Sequence, residues 1–194
     1  MKVLIFDELQ SITEREFQND LLNVPQWRRD KALSFKFFID KVLCIKSYLL
    51  LKKGLELEFG IIGNPEFSYL ENGKPILKYH PDIHFNLSHC KKGIICVLDE
   101  KPVGCDIEEI PDEIDMQLCE FSFNKQELNQ IKGAENSCIE FAKLWTKKEA
   151  LLKLSGEGLT DDLKTVLSKN QILNKSFKTT VCLDKGYVYT FFFK

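Results

Sequence analysis

The sequence predicts an α+β protein of two similar halves, residues 1–100 and 101–194. Short alternating apolar stretches indicate strands, and longer stretches with apolar residues three and four apart indicate helices. The order strand, helix, antiparallel strands occurs twice along the chain. With 194 residues, 44% hydrophobic and 29% charged, the chain can bury a continuous core without disulfides or metals. We therefore expect each half to be a long helix packed on a small, mostly antiparallel sheet.

The first half opens with a strand at residues 1–6, because MKVLIF is almost entirely apolar. A long helix is predicted over residues 27–53, where apolar residues recur at helical spacing. Residues 55–62 alternate between apolar and charged side chains, a pattern that predicts a strand. Two further strands are predicted at residues 83–87 and 93–98.

The second half repeats this order. A strand is predicted at residues 102–108, followed by helical segments that end in a helix over residues 139–154. The chain then forms two strands, residues 177–183 and 187–193, joined by the sequence Asp184-Lys185-Gly186. Because glycine adopts positive φ at little cost, this sequence is typical of a three-residue hairpin loop.

Composition excludes several classes of protein. The 27 Lys and Arg against 29 Asp and Glu give a formal charge of −2, unlike a general nucleic-acid-binding protein. No apolar run approaches the ~20 residues of a membrane span, and we expect neither a signal peptide nor a membrane partner. The seven cysteines contain no CxxC pair, which favours reduced thiols and a cytoplasmic location over disulfides or zinc.

Charge is distributed unevenly along the chain. Residues 27–53 contain eight Lys or Arg and two Asp, a balance of +6, whereas residues 99–120 contain nine acids and one Lys, a balance of −8. Either run alone is typical of a solvated face. Together they suggest a protein that meets a polyanion at one pole and cations at the other.

Two carboxylates are predicted to share one face of a strand. In Val103-Gly104-Cys105-Asp106-Ile107-Glu108, alternation directs Asp106 and Glu108 to one side, about 7 Å apart at their backbones. Oxygen ligands without His or Cys suit Mg²⁺ or Mn²⁺. The alternative is an exposed face with two solvated acids. Gly104 favours a site, because a strand glycine often marks the close approach of a ligand or of another backbone.

A third carboxylate, Glu149, lies on the predicted helix 139–154, within or beside its apolar stripe. A carboxylate buried there needs a partner, and Lys153, four residues later, can form an ordinary ion pair on the helix surface. The alternative is that Glu149 joins Asp106 and Glu108 as a metal ligand. Trp145, one turn earlier, is predicted to belong to the core.

Anion-binding groups are predicted elsewhere. Ser88 and His89 follow a predicted strand, where a turn offers a hydroxyl, an imidazole and free backbone amides to an anion. The alternative is that His89 has a structural role, as most loop histidines do. Gly73-Lys74-Pro75 is predicted to be a rigid turn that presents a cation.

Four short motifs occur in an order and at a spacing that resemble those of a known protein family. The motifs are GKP at 73–75, FNLSH at 85–89, VGCDIE at 103–108 and LWTKKEALLK at 144–153. In that order and spacing the chain resembles the phosphopantetheinyl transferases of the surfactin-synthetase-activating type, in the subgroup with a W…KEA helix. The resemblance covers residues 73 to about 159.

The resemblance implies a fold and a reaction. The two halves would be related by pseudo-twofold symmetry, with the active site between them. Residues 1–100 would bind the nucleotide end of coenzyme A, and residues 101–194 would supply the metal ligands and the catalytic helix. A Mg²⁺-dependent monomer would transfer the phosphopantetheine arm of coenzyme A to a serine of an apo acyl or peptidyl carrier protein, releasing adenosine bisphosphate. Mn²⁺ could replace Mg²⁺.

The resemblance also implies roles for individual residues. Asp106, Glu108 and Glu149 would bind the metal, with Glu149 also helping to remove the serine proton. Lys153 would stabilise charge or relay that proton. The phosphates and nucleotide of coenzyme A would be contacted by a further set of polar residues: Arg28, Lys31, Lys74, Ser88 and His89.

The chain also departs from that pattern. The arginine that many relatives carry in the helix after Lys31 is absent, with Lys41 or Lys46 as possible substitutes, although a lysine cannot reproduce an arginine fork. Cys90 stands where a small hydroxyl residue is common. Two other functions are also compatible with the sequence: a non-catalytic module that binds carrier protein or coenzyme A, and a Mg²⁺-dependent phosphohydrolase.

Overall fold

A computed structural model describes residues 1–156, 163–167 and 176–193, so residues 157–159 of the predicted resemblance lie outside it. It contains α-helices at Glu14–Leu22 (α1), Gln26–Leu33 (α2), Phe38–Phe59 (α3), Met116–Ser122 (α4), Lys125–Gly133 (α5) and Ser137–Ser155 (α6). It contains strands at Lys2–Phe6 (β1), Phe67–Tyr69 (β2), Pro75–Leu77 (β3), His84–Cys90 (β4), Gly93–Asp99 (β5), Gly104–Glu109 (β6), Ser176–Cys182 (β7) and Tyr187–Phe193 (β8). The predicted α+β class, with small antiparallel sheets, is confirmed.

Two three-stranded antiparallel sheets form the centre of the molecule. The first has the order β1-β5-β4 and the second the order β6-β8-β7, while β2 and β3 form a separate hairpin. In each sheet the opening strand of its half pairs with the last strand, which pairs in turn with the strand before it. The two halves of the chain therefore share one strand order, each with a long helix after its first strand.

The core shows how helices and sheets stack. Leu51 and Leu55 of α3 pack against Cys96 and Leu98 on one face of the first sheet. The opposite face of that sheet meets the second sheet in a shared apolar cluster of Ile95, Val97, Val103, Cys105, Ile107, Tyr187 and Phe191. Helix α6 covers the other face of the second sheet, where it packs on Phe192. The side chains of β6 that face away from the shared cluster therefore lie on the α6 side.

The predicted helix over residues 27–53 is wrong in its extent. The chain forms α2 and α3 instead, separated at residues 34–37. Ser34 closes α2 by donating its hydroxyl to the carbonyl of Lys31, and Phe37 has extended dihedral angles of −93° and 143°. Helical periodicity continues through this break, because both helices bury apolar residues against the same core.

The predicted strand at residues 55–62 is also wrong. Helix α3 continues to Phe59 and ends at Gly60, whose φ of +66° suits a helix C-terminus. Leu51 and Leu55 lie one turn apart on the buried face, so helical packing overrides the local alternation. Gly54 allows this contact, because a Cβ there would lie 2.5 Å from Leu98.

The remaining predicted elements are confirmed to within a few residues, and Gly186 in the hairpin between β7 and β8 has φ of +72°. Among the residues that the structure describes, no helix combines the length and apolar character needed to cross a membrane. All seven cysteines are free thiols.

Candidate functional site

A cavity of about 530 Å³ lies where α2 and α3 face β4, β6 and α6. It brings together eight of the residues selected from the sequence: Arg28, Lys31, Ser88, His89, Asp106, Glu108, Glu149 and Lys153. Cations from the +6 segment border one part of it, and carboxylates from the −8 segment border another. Side chains from the two charged regions therefore border one cavity.

The carboxylates of β6 lie on the face that alternation predicts. Cys105 and Ile107 are buried in the core between the sheets, whereas Asp106 and Glu108 line the cavity. Only 2% of the Asp106 side chain is exposed. Its Oδ1 atom accepts hydrogen bonds from Ser88 Oγ at 2.7 Å and from Lys153 Nζ at 2.5 Å. Its Oδ2 atom is buried without a hydrogen-bond partner among the described residues.

Lys153 reaches this carboxylate from the last turn of α6. Its ammonium donates to Asp106 and, at 3.0 Å, to Ser88 Oγ. The predicted surface ion pair within the helix, between Lys153 and Glu149, is therefore replaced by a pair that links α6 to β6. Burial opposes the charged form of Lys153, but the Asp106 carboxylate outweighs burial, and the net effect raises the pKa of the ammonium.

The other two carboxylates are harder to ionise than usual. Burial, followed by the negative charge of Asp106, raises the pKa of Glu108 to about 7, against the opposing effect of Lys153. The same two causes raise the pKa of Glu149. At this end of the cavity Asp106, Glu108 and Glu149 surround the Lys153 ammonium, so negative charge is in excess there when all three are ionised.

Gly104 explains how α6 comes so close to β6. A Cβ at this position would overlap the carbonyl oxygen of Ala150 and would lie 2.5 Å from Leu154 N. The strand glycine thus marks the close approach of another backbone, one of the two possibilities predicted for it. Ala150 and Leu154 directly follow Glu149 and Lys153 in the chain. The contact therefore places both of these side chains beside the carboxylates of β6.

Buried polar contacts fix the rotation of α6 about its axis. Lys148, whose side chain is 2% exposed, donates to Glu127 Oε2 at 2.8 Å and to the carbonyls of Ser122 and Leu163. On the strand side, Thr146 Oγ1 lies 2.9 Å from Thr190 Oγ1. These anchors leave the Glu149 side of the helix facing the cavity. No sequence pattern predicted the Lys148 contacts, because they join segments 15 to 26 residues apart.

Trp145 has a structural position, as predicted, although it is only partly buried. Its ring stacks on Phe141 at 5.9 Å and meets Phe123 edge to face at 6.3 Å. These contacts belong to the cluster beneath α4 and α5, and Trp145 does not line the cavity.

The cationic part of the cavity centres on Arg28. Its guanidinium lies 5.6 Å from the Trp27 ring and 5.3 Å from the Tyr48 ring, and these contacts hold it. The buried Nε atom of Arg28 has no hydrogen-bond partner among the described residues. Lys31 is exposed at the rim. The pair forms a positive surface suited to phosphate groups.

Ser88 and His89 do not form the predicted turn. Strand β4 continues to Cys90, and both residues pair through their backbones with β5. Both residues thus lie within a strand rather than in a turn. The strand directs the Ser88 hydroxyl towards Asp106, while His89 is exposed at the cavity.

Lys74 lies outside the main cavity. The predicted turn forms, with Gly73 at a φ of +81°, but the Lys74 ammonium donates to the carbonyl of Lys153 at 2.7 Å. Lys74 instead lines an adjoining cavity of about 380 Å³, which Glu149 and Lys153 also border. Lys46 pairs with Asp20, and Lys41 does not line the main cavity.

Several residues that line the cavity were not selected from the sequence. Helix α3 contributes Asp40, Leu43, Cys44 and Ser47, which follow one helical face. Ser47 Oγ is buried without a hydrogen-bond partner among the described residues. Their spacing was visible in the sequence, but the same spacing also predicts an ordinary core face.

The carboxylate end of the cavity fits a divalent cation by its chemistry. Carboxylate oxygens are the donors that Mg²⁺ and Mn²⁺ prefer, and the buried Oδ2 atom of Asp106 has no hydrogen-bond partner in the part of the chain that the structure describes. A cation would also offset the burial and the negative charge of Asp106 that together raise the pKa values of Glu108 and Glu149. Within the described ranges, no group of three His, Cys, Asp or Glu side chains is already arranged as a metal-binding set.

Comparisons with known proteins point to one family. Residues 102–191, which include β6 and α6, match the family model described as the 4′-phosphopantetheinyl transferase superfamily. A 4′-phosphopantetheinyl transferase of Bacillus pumilus is 32% identical over 145 residues, 73% of this chain and 62% of the relative. One from Bacillus subtilis is 39% identical over 135 residues, 69% of this chain and 60% of the relative.

A third relative is matched over more of its own length. The 4′-phosphopantetheinyl transferase AcpT of Salmonella typhi is 32% identical over 136 residues, which cover 65% of this chain and 71% of the relative. The matches to the two Bacillus proteins span less than two thirds of each.

Proposed function

Because this chain belongs to the 4′-phosphopantetheinyl transferase superfamily, we propose that it transfers the phosphopantetheine arm of coenzyme A to a serine of an apo acyl or peptidyl carrier protein. The reaction is Mg²⁺-dependent and releases adenosine bisphosphate. The observation that carries the proposal is one cavity with an arginine and a lysine at one part and three carboxylates with a lysine at another.

The nucleotide end of coenzyme A is assigned to the cationic part. Arg28 and Lys31 would bind its phosphates, and the unpartnered Nε of Arg28 supports this role. His89 and Ser88 border the path from there to the carboxylates. For Lys74, the contact with the Lys153 carbonyl favours a role in supporting the end of α6 rather than in binding the nucleotide.

Asp106, Glu108 and Glu149 would hold the Mg²⁺ ion, with Mn²⁺ as a possible replacement. When bound, the ion supplies positive charge to the pyrophosphate of coenzyme A. Phosphoryl transfer depends mainly on positioning and charge stabilisation, so the protein needs to supply little covalent chemistry.

The proton of the carrier serine is assigned to Glu149, directly or through a water molecule. Its raised pKa makes Glu149 a better proton acceptor than an ordinary glutamate. The serine oxygen forms a bond to the β-phosphorus of coenzyme A, and the bond from that phosphorus to the adenosine bisphosphate oxygen breaks. The Lys153 ammonium would stabilise the charge that develops on these oxygens.

The two halves of the chain are proposed to be related by pseudo-twofold symmetry, with residues 1–100 binding the nucleotide and residues 101–194 supplying the metal ligands and α6. The common strand order of the two sheets supports this relation. The monomeric state and the cytoplasmic location remain predictions from the sequence.

Intact-mass analysis of an apo carrier protein tests the proposed function. Incubation with this protein, coenzyme A and Mg²⁺ should add the mass of phosphopantetheine, and EDTA should abolish the gain. Glu149→Gln and Asp106→Asn should each lower the rate by about 100-fold or more, with an unchanged circular dichroism spectrum. Glu140→Gln, on the same helix but outside the cavity, is the matched control and should transfer at the normal rate.

Other outcomes would point to other functions. Binding of coenzyme A with no mass gain on any of several carrier proteins would favour a non-catalytic module. Hydrolysis of phosphoesters without a carrier protein would favour a phosphohydrolase. Normal transfer by both Asp106→Asn and Glu149→Gln would remove the carboxylates from the mechanism.

A further inference from the structure

The Lys153 ammonium lies at the carboxylate end of the cavity, in contact with Asp106. It is 2.5 Å from Asp106 Oδ1 and 3.0 Å from Ser88 Oγ, and Ser88 Oγ is 2.7 Å from the same Asp106 oxygen. The three groups form a closed ring of hydrogen bonds. Ser88 and Lys153 therefore both depend on one oxygen atom of Asp106.

Asp106 needs this partner in the absence of any other cation. Its side chain is 2% exposed, and an isolated buried carboxylate is strongly unfavourable. Among the described residues, the only ion pair of Asp106 is with Lys153. The Asp106 Oδ2 atom receives no hydrogen bond from them. The lysine thus supplies the positive charge that the buried carboxylate requires.

A divalent cation bound at the same carboxylate would change this arrangement. An ammonium and a metal ion in contact with one carboxylate repel each other, and the low dielectric of a buried site strengthens that repulsion. Glu108 and Glu149 line the same cavity, so three carboxylates together carry more negative charge than the Lys153 ammonium neutralises and favour a doubly charged ion.

We propose that Lys153 is the internal counter-cation of Asp106 in the metal-free protein, and that it competes with the divalent cation for this carboxylate. Cation binding then releases the Lys153 ammonium and the Ser88 hydroxyl from Asp106. This inference rests on the cation-binding carboxylates of the proposed function and extends it, because the lysine becomes available to substrate oxygens only when the cation is loaded.

The competition is measured directly as Mn²⁺ binding, without coenzyme A or carrier protein. The electron paramagnetic resonance signal of free Mn²⁺ gives the affinity for the wild-type protein and for Lys153→Met. Removal of the competing charge should tighten Mn²⁺ binding by about tenfold. Lys153→Arg, which keeps the charge, should bind Mn²⁺ about as weakly as the wild type.

Lys143→Met is the matched control on the same helix. Lys143 pairs with Glu140 at 2.6 Å and has a side-chain exposure of 38%, against 31% for Lys153, but it does not line the cavity. Its Mn²⁺ affinity should equal that of the wild type. Asp106→Asn should lose most Mn²⁺ binding whichever residue is at position 153.

Thermal unfolding provides a second measurement. Without metal, Lys153→Met should melt at a lower temperature than the wild type. Addition of Mn²⁺ should raise the melting temperature of Lys153→Met by more than it raises that of the wild type. If Lys153→Met does not fold, Lys153→Gln keeps hydrogen-bond donors for Asp106 and Ser88 without the charge and takes its place.

Three results would overturn the inference. They are equal or weaker Mn²⁺ binding by Lys153→Met, tight binding by Lys153→Arg, and no Mn²⁺ binding by any variant. The first two leave the proposed transferase and its metal site intact if the wild type still modifies a carrier protein. The third removes the metal assignment as well.

Discussion

At the scale of single residues, the site depends on carboxylates that differ in environment. Asp106 is nearly inaccessible and is neutralised by Lys153, whereas Glu108 is only partly buried and has no ion-pair partner among the described residues. Alternation along β6 places both side chains on the same face of the strand. Burial and the position of Lys153 give the two carboxylates different charge environments. Glu108 is therefore the carboxylate whose charge responds to pH near neutrality.

This difference predicts a pH dependence of folding. The pKa of Glu108 rises from an ordinary value of 4.5 to about 7, so the folded protein binds its proton more tightly than the unfolded chain does. The contribution of Glu108 to stability is therefore present below pH 4.5 and is lost as pH rises towards about 7. In metal-free buffer, Glu108→Gln should be more stable than the wild type at pH 8, as measured by urea unfolding.

Glu109→Gln is the neighbouring control. Glu109 lies on the same strand and accepts a hydrogen bond from the Lys91 amide, but it does not line the cavity. Because the Glu109 charge is the smallest of the causes that raise the Glu108 pKa, this variant should keep most of the wild-type change of stability between pH 5 and pH 8. An unchanged pH dependence in Glu108→Gln would show that Glu108 is not the responsible group.

At the scale of elements, the contact between β6 and α6 determines where Glu149 and Lys153 lie. The contact is close because Gly104 has no side chain where the backbone of the helix passes. The neighbouring half of the molecule uses the same device at Gly54 of α3, which faces Leu98 of β5. The difference is that Gly104 meets rigid helix backbone, whereas Gly54 meets the end of a leucine side chain.

Gly104→Ala should therefore destabilise the protein by about 3 kcal/mol or more, because the new methyl group would overlap backbone atoms that cannot move separately. The midpoint of urea unfolding measures the change. Gly133→Ala is the control, since nothing lies within 4 Å of a Cβ built there, and it should be neutral within about 0.5 kcal/mol or slightly stabilising. Equal stability of the two variants would contradict the close packing.

At the scale of the whole molecule, the cavity lies between parts contributed by both halves of the chain. The edge strands β4 and β6 meet there, and Asn86 joins them. Its Oδ1 atom accepts from the Cys105 amide at 2.8 Å, and its backbone carbonyl accepts from Cys105 Sγ. A second tie is the hydrogen bond from Tyr187 to Asp7 at 3.0 Å. The Asn86 contacts satisfy polar groups that the two sheet edges would otherwise leave unpaired.

Asn86→Ala should destabilise the protein by about 1–3 kcal/mol, because it leaves the buried Cys105 amide without its acceptor. Hydrogen exchange of that amide should become faster than in the wild type. The control is Asn19→Ala on the exposed surface of α1, which should change stability by less than about 0.5 kcal/mol. Unchanged protection of the Cys105 amide would show that Asn86 does not join the two sheets.

Local patterns predicted much of the site because they depend on neighbours in the chain. Alternation is enough to place Asp106 and Glu108 on one face of a strand, and helical spacing is enough to place Glu149 near Lys153. The order of four short motifs indicated the family before any contact was known. The predictions failed where a distant segment decides the outcome, as in residues 55–62, where Leu51 and Leu55 pack as a helix on the first sheet.

The sequence by itself therefore determined the fold class, most strands, the carboxylate pair and the family resemblance. Tertiary structure alone decided that Lys153 pairs with Asp106 rather than with Glu149, that Ser88 joins this pair, and that Lys74 supports α6 instead of lining the main cavity. The reason is physical: periodicity fixes the direction of a side chain relative to its own element. The partner it meets depends on how elements that are 18 to 79 residues apart pack together.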